Sequence, residues 1–196
     1  MGTKIHVLGG PNGVGKSTLG NTFSSDKGVV FINPDQIYSD QTRLHQKPPS
    51  QIELSHIIDV YIEHALNIDQ QVLIESNLHN IEAFRFITSY INIYKAEAFC
   101  HFYYLDDVKE LINRVKWRAE HLGNAVSEKT VLGRYASSYS MILSQFHVFD
   151  EVHFYDVSKL VPVKIFEVFD GELNYINANA NFQWSDNMLE QILSKS

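Results

Sequence analysis

Gly10-Pro11-Asn12-Gly13-Val14-Gly15-Lys16-Ser17 is a complete G-x-x-x-x-G-K-[ST] phosphate-binding loop. It follows the apolar run Ile5-His6-Val7-Leu8 and leads into the helix-like stretch Ser17-Thr18-Leu19-Gly20-Asn21-Thr22-Phe23. A strand, a glycine turn and a helix start form the setting in which this spacing binds phosphate. Glycines at 10, 13 and 15 let the backbone curl around an anion without Cβ clashes. The loop amides and the positive end of the following helix then face the phosphates. The expected nucleotide-binding residues are Gly10, Pro11, Asn12, Gly13, Val14, Gly15, Lys16, Ser17 and Thr18. Lys16 supplies a mobile charge for the β- and γ-phosphates, and the Ser17 hydroxyl is the expected Mg²⁺ ligand. The ligand this stretch predicts is ATP with Mg²⁺.

Outward from the loop, apolar strand-like runs alternate with segments of helical period. Strands are expected at 5–8, 29–33, 71–75, 98–105 and 152–156, and helices at 17–24, 50–67, 81–91, 108–120 and 127–145. The run Ala98-Phe99-Cys100-His101-Phe102-Tyr103-Tyr104-Leu105 is nearly continuous in apolar and aromatic residues, as a strand covered on both faces should be. Ser50 with Glu53 reads as a capping box after the Pro48-Pro49 loop. Asp170-Gly171 suits a tight primed turn joining strands at 163–168 and 172–176, and 184–195 reads as a closing amphipathic helix. The fold class is α/β: a P-loop NTPase three-layer sandwich with a mostly parallel central sheet and helices on both faces.

A length of 196 residues suits one domain, 1–196, with its own core. The balance of 16 basic against 23 acidic residues gives a formal charge of -7, which disfavours nucleic-acid partners. The single cysteine, Cys100, cannot form an internal disulfide and fits a reducing, cytoplasmic setting. No apolar stretch is long enough to span a membrane. The first strand begins so near Met1 that a cleavable signal is not expected. The histidines show neither HExxH nor His/Cys zinc spacing.

In an open parallel sheet, ligands bind beyond the carboxyl ends of the strands. Three strand ends there carry acids: Asn33-Pro34-Asp35, Glu75-Ser76-Asn77 and Asp106-Asp107. Asp35 is a candidate general base for a hydroxyl attacking the γ-phosphate, and equally a turn or capping aspartate. Glu75 suits either an acid that holds Mg²⁺ or its water, or a group that binds the acceptor. Asp106 and Asp107 suit capping of the next helix. Arg114 and Arg118 share one helix face and Arg134 follows, so the helical segment 108–145 is a candidate lid over the transferred phosphate. Glu110, four residues before Arg114, is its competing surface partner.

With these pieces in order the sequence resembles the zeta-toxin family of P-loop kinases, in the branch called predicted ABC-type ATPases. The matching blocks are Gly9–Leu19, Phe31–Ile37, Ile74–Leu78, Arg114–Arg118, Val126–Tyr135 and Phe154–Ser158, covering the chain up to the final hairpin (163–196 with its helix). The resemblance implies transfer of the ATP γ-phosphate to a small-molecule acceptor, in characterised members the amino-sugar 3′-hydroxyl of UDP-N-acetylglucosamine. It also implies restraint by an antitoxin protein. By position it makes Asp35 the catalytic base, Lys16 the loop lysine and Arg114 a lid arginine on the transferred phosphate. Glu75 and Asn77 fall on the acceptor site, and Glu63 matches an acceptor-binding acid. Arg118 and Arg134 are further lid candidates. Glu75-Ser76-Asn77-Leu78-His79 departs from the family's Glu-Thr-Thr-Leu-Ser, and Leu122-Gly123-Asn124 lacks the lid charge. Two other readings stand beside this one. One is a kinase of a nucleoside, sugar acid or dinucleotide; the other is a regulatory ATP-binding module without a small acceptor.

Overall fold

The computed structural model describes residues 2–122, 126–180 and 182–194. Strands β1 (Lys4–Gly9), β2 (Val30–Ile32), β3 (Val72–Glu75), β4 (Glu97–Tyr104), β5 (Glu151–Asp156), β6 (Val163–Phe169) and β7 (Glu172–Ile176) form one sheet in the order β2-β3-β1-β4-β5-β6-β7. The first five in chain order run parallel; β6 and β7 are antiparallel additions at one edge. Between them lie α1 (Lys16–Lys27), α2 (Pro34–His45), α3 (Gln51–Asn67), α4 (Ile81–Tyr94), α5 (Val108–Leu122) and α6 (Glu128–Gln145), and α7 (Gln183–Leu193) closes the chain.

Period-2 alternation hidden within the apolar strands splits the core in two. Ile5, Val7, Ile74, Cys100, Phe102 and Tyr104 point to one face, against Ile62 of α3, Phe84 of α4, Ile142 of α6 and Met188 of α7. Leu8, Leu73, Tyr103 and Leu105 point to the other, where Leu19 and Phe23 of α1 and Leu111 and Val115 of α5 cover them. Each such buried side chain contributes about 1.5–3 kcal/mol, so the sheet is held from both sides.

Local chemistry explains the ends of the elements. Ser50 and Glu53 form the full capping box of α3, which holds the Glu53 carboxyl below its usual range. Asp107 Oδ1 accepts from the amides of Lys109 and Glu110, so Asp107 caps the start of α5. Asp170 and Gly171 both take positive φ, 48° and 80°, the geometry of a primed hairpin turn.

One element departs from expectation. Pro34-Asp35 is not a loop turn but the first turn of α2. Asn33 Oδ1 accepts from the Gln36 amide at 3.1 Å, and Pro34 occupies the first helical position, where no N–H is needed. The closing helix ends at Leu193. Gly123, Asn124 and Lys195 lie outside the described residues.

A polar row crosses the α1 face of the sheet. The His6 and His101 rings stack at 5.6 Å, and His101 and His153 at 5.0 Å. Phe23 of α1 leans on His6 and His101 at 5.3 and 5.1 Å. Gln71 terminates the row at His6, while Glu151 and Glu167 flank His153.

Candidate active site

The β1–α1 loop forms because its glycines take φ values closed to other residues. Gly10 sits at φ 132° with its Cα against β4: a Cβ there would lie 2.2 Å from the Tyr103 carbonyl oxygen. Gly15, at φ 89°, is the left-handed residue that turns the loop into α1. Gly10→Ala is therefore expected to lower stability by about 1–3 kcal/mol, because backbone on both sides must shift. It should also abolish ATP binding; urea midpoints and nucleotide calorimetry check both.

Lys16 is buried. Its ammonium donates to the carbonyls of Gly10 and Pro11 at 2.7 and 2.9 Å and to Asn77 Oδ1 at 2.9 Å. Burial lowers its pKa to about 8, against the opposing pull of Glu75 and Asp35. The lysine thus folds back on its own loop and on the segment after β3.

That segment is itself held under tension. Leu78 is fully buried at φ 48°, an uncommon conformation for a leucine. The Ser76 hydroxyl accepts from the Leu78 amide, and the Asn77 carbonyl accepts from Ser138 of α6 at 2.5 Å. The local turn and the bond from α6 therefore hold Asn77 against Lys16. Glu75, just before it, is mostly buried, which raises its carboxyl above the ordinary range; Lys16 and a hydrogen bond from Ser17 oppose the shift. Its Oε2 has no hydrogen-bond partner.

A cavity of about 310 Å³ opens over the loop, lined by Lys16, Ser17, Asp35, Glu75, Arg114 and Arg118, with Asn12, Gly13, Gly15 and Thr18 as its floor. Asp35 reaches it from the second position of α2, near the positive end of that helix. Arg118 lines the cavity with Nε and Nη2 buried and unpartnered. Arg134 of α6 donates to Asn12 Oδ1 at 3.2 Å and so braces the loop.

A second cavity, about 410 Å³, adjoins this one and is lined by Val14, Leu19, Arg114, Val157, Lys159 and Pro162, among others. Arg114 lies at the seam. Its Nε donates to Glu110 at 2.9 Å and its Nη1 to the Val157 carbonyl at 3.1 Å. The Val157 loop is organised by buried Asp156, which accepts from Trp184 Nε1 at 2.9 Å and from the Ser158 amide at 2.8 Å.

Of the residues singled out in the sequence, Lys16, Ser17, Asp35, Glu75, Arg114 and Arg118 meet in one cavity. Asn77 joins through Lys16 and Arg134 through Asn12. Glu63 does not: it is exposed on α3, and its charge acts on Tyr90 instead. Arg114 keeps both the Glu110 pairing and the cavity edge, because a guanidinium can donate in two directions. Sequence reasoning places Asp156 in the Phe154–Ser158 block but assigns it no role, since its partner Trp184 lies 28 residues away.

No protein-family model matches the sequence, and no curated protein matches it. Solved structures do match in shape. A chain of the AvrRxo1-ORF1:AvrRxo1-ORF2 complex, crystallised with ATP, superposes with a TM-score of 0.65 at 10% identity, over 98% of this chain and 64% of that one. A chain of the PezAT chromosomal toxin–antitoxin system of Streptococcus pneumoniae gives 0.58 at 10% identity, over 99% and 86%. A chain of the Pnkp1/Rnl/Hen1 RNA repair complex gives 0.60 at 19% identity, over 71% and 45%. The present chain thus spans about two thirds of the AvrRxo1 chain it matches. The chain shares the overall fold of these structures. Among the described residues, no helix is long and apolar enough to cross a membrane.

Proposed function

We propose that the protein transfers the γ-phosphate of Mg-ATP to a hydroxyl of a small acceptor. The observation that carries this reading is the convergence of the phosphate loop, two carboxylates and Arg118, with its Nε and Nη2 buried and unpartnered, in one cavity. The triphosphate lies along the loop, and the base enters the adjoining cavity against Arg114 and the Val157 loop. Lys16 then exchanges the carbonyls of Gly10 and Pro11 for phosphate oxygens. Asp35 takes the proton of the acceptor hydroxyl as its oxygen bonds to the γ-phosphorus and the bond to the β-phosphate oxygen breaks, releasing ADP. Arg118 faces the charge that spreads over the transferring group.

The donor set suits a hard divalent cation. Ser17 and Glu75 line this cavity together and offer a hydroxyl and a carboxylate, so these two residues would hold Mg²⁺ directly or through water. When bound, Mg²⁺ neutralises charge on the β- and γ-phosphate oxygens.

The family resemblance points to UDP-N-acetylglucosamine or a related nucleotide sugar as acceptor, to an antitoxin protein as partner and to the cytoplasm as setting. A nucleoside, sugar acid or dinucleotide acceptor keeps the same mechanism. A regulatory ATPase would instead hydrolyse ATP without any acceptor, whereas a kinase is expected to waste little ATP until its acceptor closes the site.

Transfer of labelled γ-phosphate to an acceptor panel tests the reading. Arg118→Ala should lower transfer by about 10²–10³-fold and leave ATP affinity nearly intact. Arg114→Ala should mainly weaken ATP binding. Equal loss of ATP affinity in both variants would sink the assignment of separate roles.

A further inference from the structure

Beyond Glu75 the phosphate cavity meets a third space, about 300 Å³, between α3, α4, the start of α2 and the end of β3. Glu75 lines both, so this space begins where the acceptor hydroxyl must lie. Its walls are Pro34, Leu54, Ile58, Ile74, Phe86 and Ile87. Ser76 stands with Glu75 at the neck, and Gln51 and Ser55 supply the remaining polar groups. No lysine or arginine lines it.

We infer that the acceptor is an uncharged alcohol whose ring-sized apolar body fills this slot. The inference rests on the phosphotransfer reading and gives it a substrate class. Three features carry it. The volume is about twice that of the ~150 Å³ apolar cavity that takes up benzene. The lining is apolar, with an aromatic ring on one wall, as in sites that hold the body of a small molecule. At the neck, the orphan Glu75 Oε2 needs a donor, which an alcohol or ring N–H supplies and a phosphate does not. An anionic group pushed past Glu75 into the slot would find no lysine or arginine among its lining residues, and would lose its hydration without compensation. Phosphorylated acceptors must therefore keep their charge outside it. The transfer step stays balanced as written above: the alcohol proton goes to Asp35 and ADP leaves.

Ser55 is exposed on α3 and lines the slot, so Ser55→Trp fills the space without entering the core. The probes are adenosine, uridine and phenyl glucoside as neutral alcohols, and glucose 6-phosphate and UDP-N-acetylglucosamine as anionic ones. Binding is measured by calorimetry with a non-hydrolysable ATP analogue present, and transfer with labelled ATP. At least one neutral probe should bind, at least tenfold more weakly to Ser55→Trp, while affinity for the analogue stays the same. Binding only of the anionic probes, no binding of any probe, or neutral binding indifferent to Ser55→Trp would overturn the slot. Slot-dependent binding without transfer would keep the slot and remove the kinase reading. Transfer that ignores Ser55→Trp would do the reverse.

Discussion

Asp35→Asn is expected to lower phosphate transfer by about 10²–10⁴-fold while leaving ATP affinity unchanged, the usual weight of a positioned general base. The substitution is clean because the helix start does not depend on Asp35. Asn33 caps α2 and Pro34 fixes its first residue, so an isosteric amide at the second position keeps the backbone and removes only the charge. That charge acts on Lys16 and Glu75, and the side chain lines the phosphate cavity. A capping role would show itself differently. Asn33→Ala should cost about 1 kcal/mol of stability and reduce activity only through folding. The deciding comparison is kcat against urea midpoint for the two variants. If Asp35→Asn shifts the midpoint like Asn33→Ala and spares kcat, Asp35 is a structural residue.

Much of this fold is readable from local signals. The phosphate loop, the capping box at Ser50 and Glu53 and the Asp170-Gly171 turn each encode their structure within a few residues. The long β4 run, continuous in apolar residues, marks a strand covered on both sides because neither face meets water. Helix α2 escapes this reading because Asn33-Pro34-Asp35 suits a turn and a helix start equally. Only the carbonyl ladder that follows distinguishes the two. The candidate site divides the same way. Lys16 and Ser17 follow from spacing, and Asp35 and Glu75 from their places at strand ends. The difference between Arg114 and Arg118 does not, since they are one helical turn apart and chemically identical. What separates them is the Val157 carbonyl, 43 residues beyond Arg114. The apolar slot is likewise beyond sequence reading: Leu54, Ile74 and Phe86 look like core until α3 and α4 are seen to part around them.

Acid should unfold this protein early, and His101 should be the main cause. Its ring is buried among His6 on β1, His153 and Tyr155 on β5 and Phe23 on α1. Burial lowers its pKa to about 3, and the His153, His6 and Lys164 charges push the same way. Burial also lowers His6 and brings His153 to about 4, the latter against the Glu167 carboxylate. Among the described residues no carboxylate pairs with His101; its Nε2 meets the His6 ring at Nδ1, 3.4 Å away, so an added proton is not balanced by an opposite charge. The folded value lies below the unfolded one near 6.5, so the unfolded chain takes up the proton first. Stability is fully present above pH 6.5 and drains as pH falls from 6.5 towards 3. The loss is about 1.4 kcal/mol per pH unit for this ring, on the order of 3 kcal/mol by pH 4.5. Set against a typical total of about 5–15 kcal/mol, that is enough to move the midpoint visibly. His101→Phe keeps a flat ring in the stack and cannot take the proton. Urea unfolding at intervals from pH 7.5 to 4.5 should give a wild-type slope steeper by about one proton than the variant's. Parallel slopes would move the acid sensitivity elsewhere, with His6 the next ring to replace. The Glu75 and Glu151 carboxyls, raised by burial, change stability in the opposite direction as pH falls, so they cannot mimic this loss.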